Sequence, residues 1–303
     1  MSIERKPIVI LGPTASGKSD SAMSAAMSNG NTEIVVCDAM QVYKRMDIGT
    51  AKPTLEDQQK VQHHCIDLVE PSARFTVSDY QIAARAAVAD IHSRDKNALV
   101  VAGTGLYLTS LIDDLSFPGE WPEIRRELQE EPDVNTLYRR LKALDPVAAA
   151  NIERSNRRRI ERALEVCMGS GKPFSDNAPG TGAYPDNGVV QIGLLWPREV
   201  LVKRVAERVN AMLKWGFLDE VRDLRKSGNM SITAKQALGY AELLRHLEGK
   251  CTLEQAVGDI VIHTRQFAVR QERWFRRDPR ITWVNIEKNP VAEIGAVLAK
   301  HLN

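Results

Sequence analysis

The sequence predicts an α/β fold: a parallel sheet flanked by helices, built around a phosphate-binding loop and interrupted once by a helical insertion. Three observations carry this. Short apolar, β-branched runs alternate with helical patterns, as buried parallel strands alternate with crossover helices. The first of these runs leads straight into Gly12-Pro13-Thr14-Ala15-Ser16-Gly17-Lys18-Ser19, the P-loop spacing of glycine, four residues and Gly-Lys-Ser/Thr. From Ser116 to Gly188 the alternation stops and highly charged helical segments take over.

In chain order, residues 7–11 read as the first strand. The loop 12–19 follows, and a helix at 19–29 completes the strand, glycine loop and helix order that a P-loop requires. Successive backbone N–H groups can wrap a chain of phosphates there. The helix amino terminus adds partial positive charge and Lys18 a full one. The Ser19 hydroxyl can ligate Mg²⁺. Strands are expected at 33–37, 98–102, 189–196 and 281–286, and helices at 78–94, 105–113, 198–214, 217–227, 233–248 and 253–277. The insertion carries helical segments at 121–131, 134–143, 146–153 and 156–169, then a loop rich in Pro, Gly and Asn from Gly171. We therefore expect a P-loop NTPase-like core from 1–115 and 189–303 and a helical domain at 116–188.

The totals fit this. A chain of 303 residues with 43% hydrophobic and 26% charged residues can bury a core without disulfide staples. Cys37, Cys65, Cys167 and Cys251 form no Cys-x-x-Cys pair and read as reduced thiols. No apolar run is long enough to span a bilayer, and no signal-peptide core precedes the first strand. A cytoplasmic monomer with no membrane contact is the expectation. The net charge of +2 is too small for any global argument, so a nucleic-acid case rests on where the charge sits.

The second strand ends at Cys37-Asp38, followed by Ala39-Met40-Gln41-Val42-Tyr43. Carboxyl ends of parallel strands face the ligand crevice, so Asp38 approaches the phosphate loop if the first two strands are close in the sheet. Position alone leaves Asp38 open as a turn former, a magnesium ligand or a general base. Gln41 has an amide suited to a nucleobase edge. A kinase would usually carry an acidic residue at the end of a later core strand. Here 99–102 runs into Gly103-Thr104-Gly105-Leu106-Tyr107 without one.

These runs together resemble the tRNA dimethylallyltransferases of the IPP transferase family, nearly end to end. The resemblance rests on 12–19, on Asp-Ala-Met-Gln-Val-Tyr at 38–43, Met-Asp-Ile-Gly-Thr-Ala-Lys-Pro at 46–53, His-His-Cys-Ile-Asp at 63–67 and Gly-Thr-Gly-Leu-Tyr at 103–107. It continues through Arg-Arg-Ile-Glu-Arg-Ala-Leu-Glu-Val at 158–166, Gln-Ala-Leu-Gly-Tyr at 236–240, Thr-Arg-Gln at 264–266, Arg-Gln at 270–271 and Trp-Phe at 274–275. It implies transfer of a dimethylallyl group from dimethylallyl diphosphate to N6 of the adenosine immediately 3′ of the anticodon, in tRNAs reading codons that start with U. By the same resemblance Asp38 is the base, residues 12–19 with Mg²⁺ and Arg208 hold the diphosphate, and Thr104 is catalytic. The tRNA anticodon stem-loop would meet Asp38, Ala39, Met40, Gln41, Thr104, Arg125, Arg158, Arg159, Ile160, Glu161, Arg162, Lys235, Gln236, Gly239 and Tyr240. If free AMP, ADP or ATP were the acceptor instead, neither the insertion nor the arginines would be needed.

Five arginines fall within 154–162 and six within 265–280, which in a near-neutral chain suggests localised phosphate contacts. Trp274 and Phe275 interleave with the second cluster and are expected to pack in the core. His63, His64 and Cys65 invite a metal reading, but no complementary ligands stand at zinc spacing. The histidines are expected to hold local structure. Ala39, Ala241 and Val269 depart from residues common in the family.

Overall fold

A computed structural model describes residues 5–113, 115–177, 182–228 and 230–302. In chain order the first elements are β1 (Ile8–Leu11), α1 (Lys18–Asn29), β2 (Thr32–Cys37), α2 (Leu55–Lys60), β3 (His63–His64), α3 (Val77–Ser93), β4 (Asn97–Ala102) and α4 (Gly105–Ile112). Then come α5 (Pro122–Glu130), α6 (Val134–Leu144), α7 (Pro146–Asn151), α8 (Arg157–Ser170) and a 3₁₀ turn at Phe174–Asn177. The chain closes with β5 (Val190–Leu195), α9 (Arg198–Lys214), α10 (Phe217–Lys226), α11 (Ile232–Lys235), α12 (Tyr240–Leu247), α13 (Leu253–Phe275), β6 (Thr282–Asn285) and α14 (Pro290–Leu302).

The six strands form one parallel sheet in the order β3-β2-β4-β1-β5-β6. Every residue of β1, β2 and β4 is buried, which explains the apolar runs at 8–11, 34–37 and 98–102. The two leading strands are not neighbours: β4 lies between them. Register brings their ends together all the same. Leu11 pairs with Ala102, and Ala102 with Cys37, so Gly12, Gly103 and Asp38 leave the sheet side by side.

Three elements go beyond the expected set. β3 is two residues long and exists only by pairing with Ile34 and Val35. α2 is announced by the Thr54 and Asp57 capping box. α14 lays Ile294, Leu298 and Leu302 into the same cluster as Ala22, Ala25 and Ala26 of α1. The expected helix 233–248 is two helices, α11 and α12, because Gly239 takes φ 85 and turns the chain between them.

Two compact units result, Met1–Asp113 with Tyr184–Asn303, and Asp114–Ala183. The expected insertion ran from 116 to 188. Residues 184–188 belong with the sheet unit because Arg280 donates to the Pro185 carbonyl at 2.7 Å and lies over the Tyr184 ring. Asn187 likewise donates to the Ile112 carbonyl at 2.9 Å. The smaller unit packs Leu128, Leu137, Leu141, Ile160 and Leu164 into its own core. Of the loop expected from Gly171, residues 178–181 lie outside the described residues. No helix among the described residues is long and apolar enough to cross a membrane.

Candidate active site at the carboxyl ends of the strands

A cavity of about 510 Å³ opens where β1, β2 and β4 end, and residues of the sheet unit alone line it. The phosphate loop forms one wall. Ala15 and Gly17 take positive φ, and a Cβ at Gly17 would stand 2.6 Å from Pro290, so only glycine fits there. A Cβ at Gly12 would press on Ser16 Oγ and the Leu194 carbonyl. The Trp196 indole N–H donates to the Ser16 carbonyl and Arg204 Nε to the Ala15 carbonyl, both at 2.8 Å. Loop carbonyls are thereby held from outside. Thr14, Lys18 and Ser19 line the cavity, while Ala15 and Gly17 join Lys18 and Ser19 in a second, adjoining pocket. Pro13 contributes its carbonyl, 3.4 Å from Lys18 Nζ.

Lys18 and Arg208 share that wall. Neither joins a salt bridge among the described residues. Loss of water and the neighbouring Arg208 charge pull the Lys18 ammonium down to about 8, against the opposing pull of Asp38 and Asp20. Burial also lowers Arg208, with Arg204 adding to the effect. Two cations held without a salt-bridge partner in a partly dry site favour an anion. The charged face of α9 is thus turned inward at Arg208 rather than to solvent.

Asp38 faces these cations across Gly103. Its Oδ1 accepts from the backbone N–H groups of Met40 (2.8 Å) and Gln41 (3.3 Å). Oδ2 is left for chemistry. A Cβ at Gly103 would meet Asp38 Oδ2 and Lys18 Cε at 3.6 Å, so this glycine lets the carboxylate and ammonium share one space. Thr104 Oγ1 accepts from the Ala39 N–H at 3.2 Å, tying the end of β2 to the start of α4 and keeping its own proton to donate.

Gln41 spends its amide N–H groups on the carbonyls of Thr50 (3.0 Å) and Ala51 (3.4 Å), which leaves Oε1 as its acceptor toward the cavity. The 46–53 run is a braced loop. Lys52 is buried between Asp47, Asp67 and the Tyr43 carbonyl, at 2.5, 2.6 and 2.8 Å. Glu220 accepts the N–H groups of Asp47, Ile48 and Gly49 and the Tyr240 hydroxyl.

Several expected RNA contacts are placed differently. Gln236, Gly239 and Tyr240 line the cavity, Tyr240 with its side chain fully buried, and Lys235 is exposed. Burial beside Glu220 raises the Tyr240 hydroxyl well above its ordinary value, and the hydroxyl braces Glu220. In the smaller unit Ile160 is a core residue with no exposed surface. Arg125 and Arg162 are committed to buried Glu165, at 2.9 and 3.1 Å, and Glu161 to Arg157 at 2.6 Å. Burial works to raise the Glu165 carboxyl, but the Trp121 N–H, Arg162 and Arg125 outweigh it and hold it low. Arg158 and Arg159 remain exposed.

The second arginine cluster is partly structural as well. Arg280 pairs with Asp113 and Asp278, and Arg277 stacks on Trp274, 4.2 Å from the ring centroid. Phe275 is core as expected, and Trp274 packs against the same cluster while also lining the cavity over Gly105. His63 bonds the Val61 carbonyl and His64 the buried Glu33 carboxylate, both at 2.8 Å. Cys65 is buried, and burial pushes its thiol up to about 12.

A sequence model of the family described as IPP transferase matches residues 41–278. This chain belongs to the IPP transferase family. The match begins just after Asp38, and full-length relatives extend the likeness across the phosphate loop. A tRNA dimethylallyltransferase of Thermobifida fusca is 45% identical over 91% of this chain and 89% of its own. One from Carboxydothermus hydrogenoformans is 42% identical over 96% of each. Among solved structures, a tRNA isopentenylpyrophosphate transferase of Bacillus halodurans superposes with a TM-score of 0.71, 35% identity and coverage of 99% and 97%. A eukaryotic dimethylallyltransferase acting on tRNA gives a TM-score of 0.78 at 27% identity, covering 93% of this chain and 74% of that one. The P-loop-like α/β core of this IPP transferase is therefore the family fold.

One residue that shapes the site escaped sequence reasoning. Gln271, near the end of α13, accepts from the Thr14 N–H at 2.8 Å and donates to the Gly103 carbonyl at 2.7 Å. It stitches the phosphate loop to the loop after β4. Only its place within the family-like Arg-Gln at 270–271 could have drawn attention to it.

Proposed function

We propose that this chain transfers a dimethylallyl group from dimethylallyl diphosphate to N6 of the adenosine immediately 3′ of the anticodon, in tRNAs reading codons that start with U, and releases diphosphate. The names of its relatives support prenyl transfer to tRNA. One observation carries the chemistry: a carboxylate with a single free oxygen faces two unpaired cations inside one cavity.

The adenine N6 lone pair is delocalised into the ring, so N6 must lose a proton as it attacks. Asp38 Oδ2 takes that proton. The N6–C1 bond forms, the allylic C1–O bond breaks, and its electron pair leaves with diphosphate. The growing negative charge is met by Lys18, Arg208 and the loop N–H groups, which are set in place before reaction. Thr104 and Gln41 Oε1 stand where they can orient the base. Ser19 is exposed at the start of α1, beside both cations, and its hydroxyl has no partner among the described residues. That site suits Mg²⁺, which would be held by Ser19 and the donor's own oxygens and would neutralise diphosphate charge.

A flipped base in a cavity at strand ends implies an unstacked loop nucleotide, and the anticodon loop offers one. The substrate places the work in the cytoplasm, and a cavity complete within one chain suits a monomer. Incubation with unmodified tRNA, Mg²⁺ and labelled donor, followed by digestion to nucleosides, should yield N6-dimethylallyladenosine. Labelled product from AMP, with tRNA left untouched, would overturn the acceptor. Exposed Arg158 is expected to contact phosphate: Arg158→Ala should weaken tRNA binding and flatten the log–log salt slope by about one. An unchanged slope removes it from the interface.

A further inference from the structure

Lys18 and Arg208 account for the charged end of the proposed donor and leave its apolar end without a host. Helix α9 supplies one. Val205, Arg208, Val209 and Met212 fall at i, i+3, i+4 and i+7, so a single helix face presents a cation flanked by apolar side chains. All four line the cavity. Met212 also lines the adjoining pocket beside Ser19 and Arg208, so a ligand with its phosphates there has apolar surface next to it.

The end of this apolar stretch is Phe217. Its side chain is 1% exposed and meets Tyr240 edge-on, with ring centroids 5.0 Å apart. The ring is wedged between two glycine backbones. A Cβ at Gly49 would overlap it, and one at Gly239 would stand 2.6 Å away. Gly49 is itself fixed, its N–H donating to Glu220 at 3.2 Å. Close-packed interiors of this kind do not yield to an extra methylene without cost.

We propose that Phe217, clamped by Gly49 and Gly239, is the floor of the donor's tail subsite and sets its length: a branched five-carbon allylic chain fits, and a ten-carbon chain is refused. This rests on the prenyl-transfer reading above.

The test uses binding without acceptor. Calorimetry compares inorganic diphosphate with the non-reacting thiolo analogues of dimethylallyl and geranyl diphosphate, on the parent, Phe217→Leu and Phe217→Ala proteins. The parent should bind the five-carbon analogue about tenfold tighter than inorganic diphosphate, and the ten-carbon analogue at least about tenfold weaker than the five-carbon one. Both variants should gain about tenfold for the ten-carbon analogue while diphosphate affinity holds. Thermal melts report folding; if Phe217→Ala unfolds, the milder Phe217→Leu decides. A five-carbon analogue bound no tighter than diphosphate, or a ten-carbon affinity unmoved in a folded variant, overturns the proposal. The two readings fail separately. Expected selectivity with unmodified tRNA refutes the acceptor and upholds the floor, whereas prenylated tRNA with no gain for the ten-carbon analogue refutes the floor alone.

Discussion

Asp38→Asn is expected to bind donor and tRNA as the parent does and to turn over about a thousandfold more slowly, within the range usual for loss of a general base. The substitution isolates the proton. An asparagine oxygen still accepts the Met40 and Gln41 N–H groups that fix the turn, so the end of β2 keeps its shape. The side chain keeps its size over Gly103. What it loses is the ability to take a proton from N6 as the allylic bond breaks. It also loses a negative charge near Lys18 and Arg208, and an incoming diphosphate is no longer repelled by it. Donor affinity should therefore hold or tighten while kcat collapses. Single-turnover transfer and equilibrium binding, measured side by side, separate the two. Full turnover in the variant would remove Asp38 as the base, and a matching fall in donor affinity would make it a binding residue instead.

The sheet, the phosphate loop and the place of Asp38 were legible because each follows from local pattern. Apolar runs mark buried strands, and the loop has a spacing that backbone geometry demands. What brings Asp38 to Lys18 was not legible. It depends on β4 entering between β1 and β2 with their ends in register, and on a glycine at 103 that leaves room. The split of α11 from α12 hinges on one positive φ at Gly239 inside an otherwise helical pattern. Motif membership also does not say which side chains are buried. Tyr240 and Ile160 sit in family-like runs yet are buried, the one bracing Glu220 and the other filling a core. Gln271 shows the converse: a site-shaping residue whose partners, Thr14 and Gly103, are far away in sequence.

Lys18→Met should cost about a hundredfold to a thousandfold in kcat/KM, comparable to removing one preorganised charge-stabilising donor, and it should also erase a pH dependence. In the free protein the Lys18 ammonium titrates near 8, because burial and Arg208 disfavour its charge. A bound diphosphate reverses that balance, so the bound ammonium titrates higher. Binding then takes up a proton at any pH between the two values. The sign follows: donor affinity is at its full level below about 8 and falls as pH rises through it. The thiolo analogue of the donor is the right ligand, since it cannot react and its terminal phosphate is ionised above about pH 7.5. Calorimetry in buffers of different ionisation heat should show clearly more proton uptake at pH 9 than at pH 7.5. In Asp38→Asn the inflection should move to lower pH, because the Asp38 charge is one of the two that hold the ammonium's proton on. A flat affinity profile in the parent, or an inflection that survives Lys18→Met, would mean that another group senses the anion.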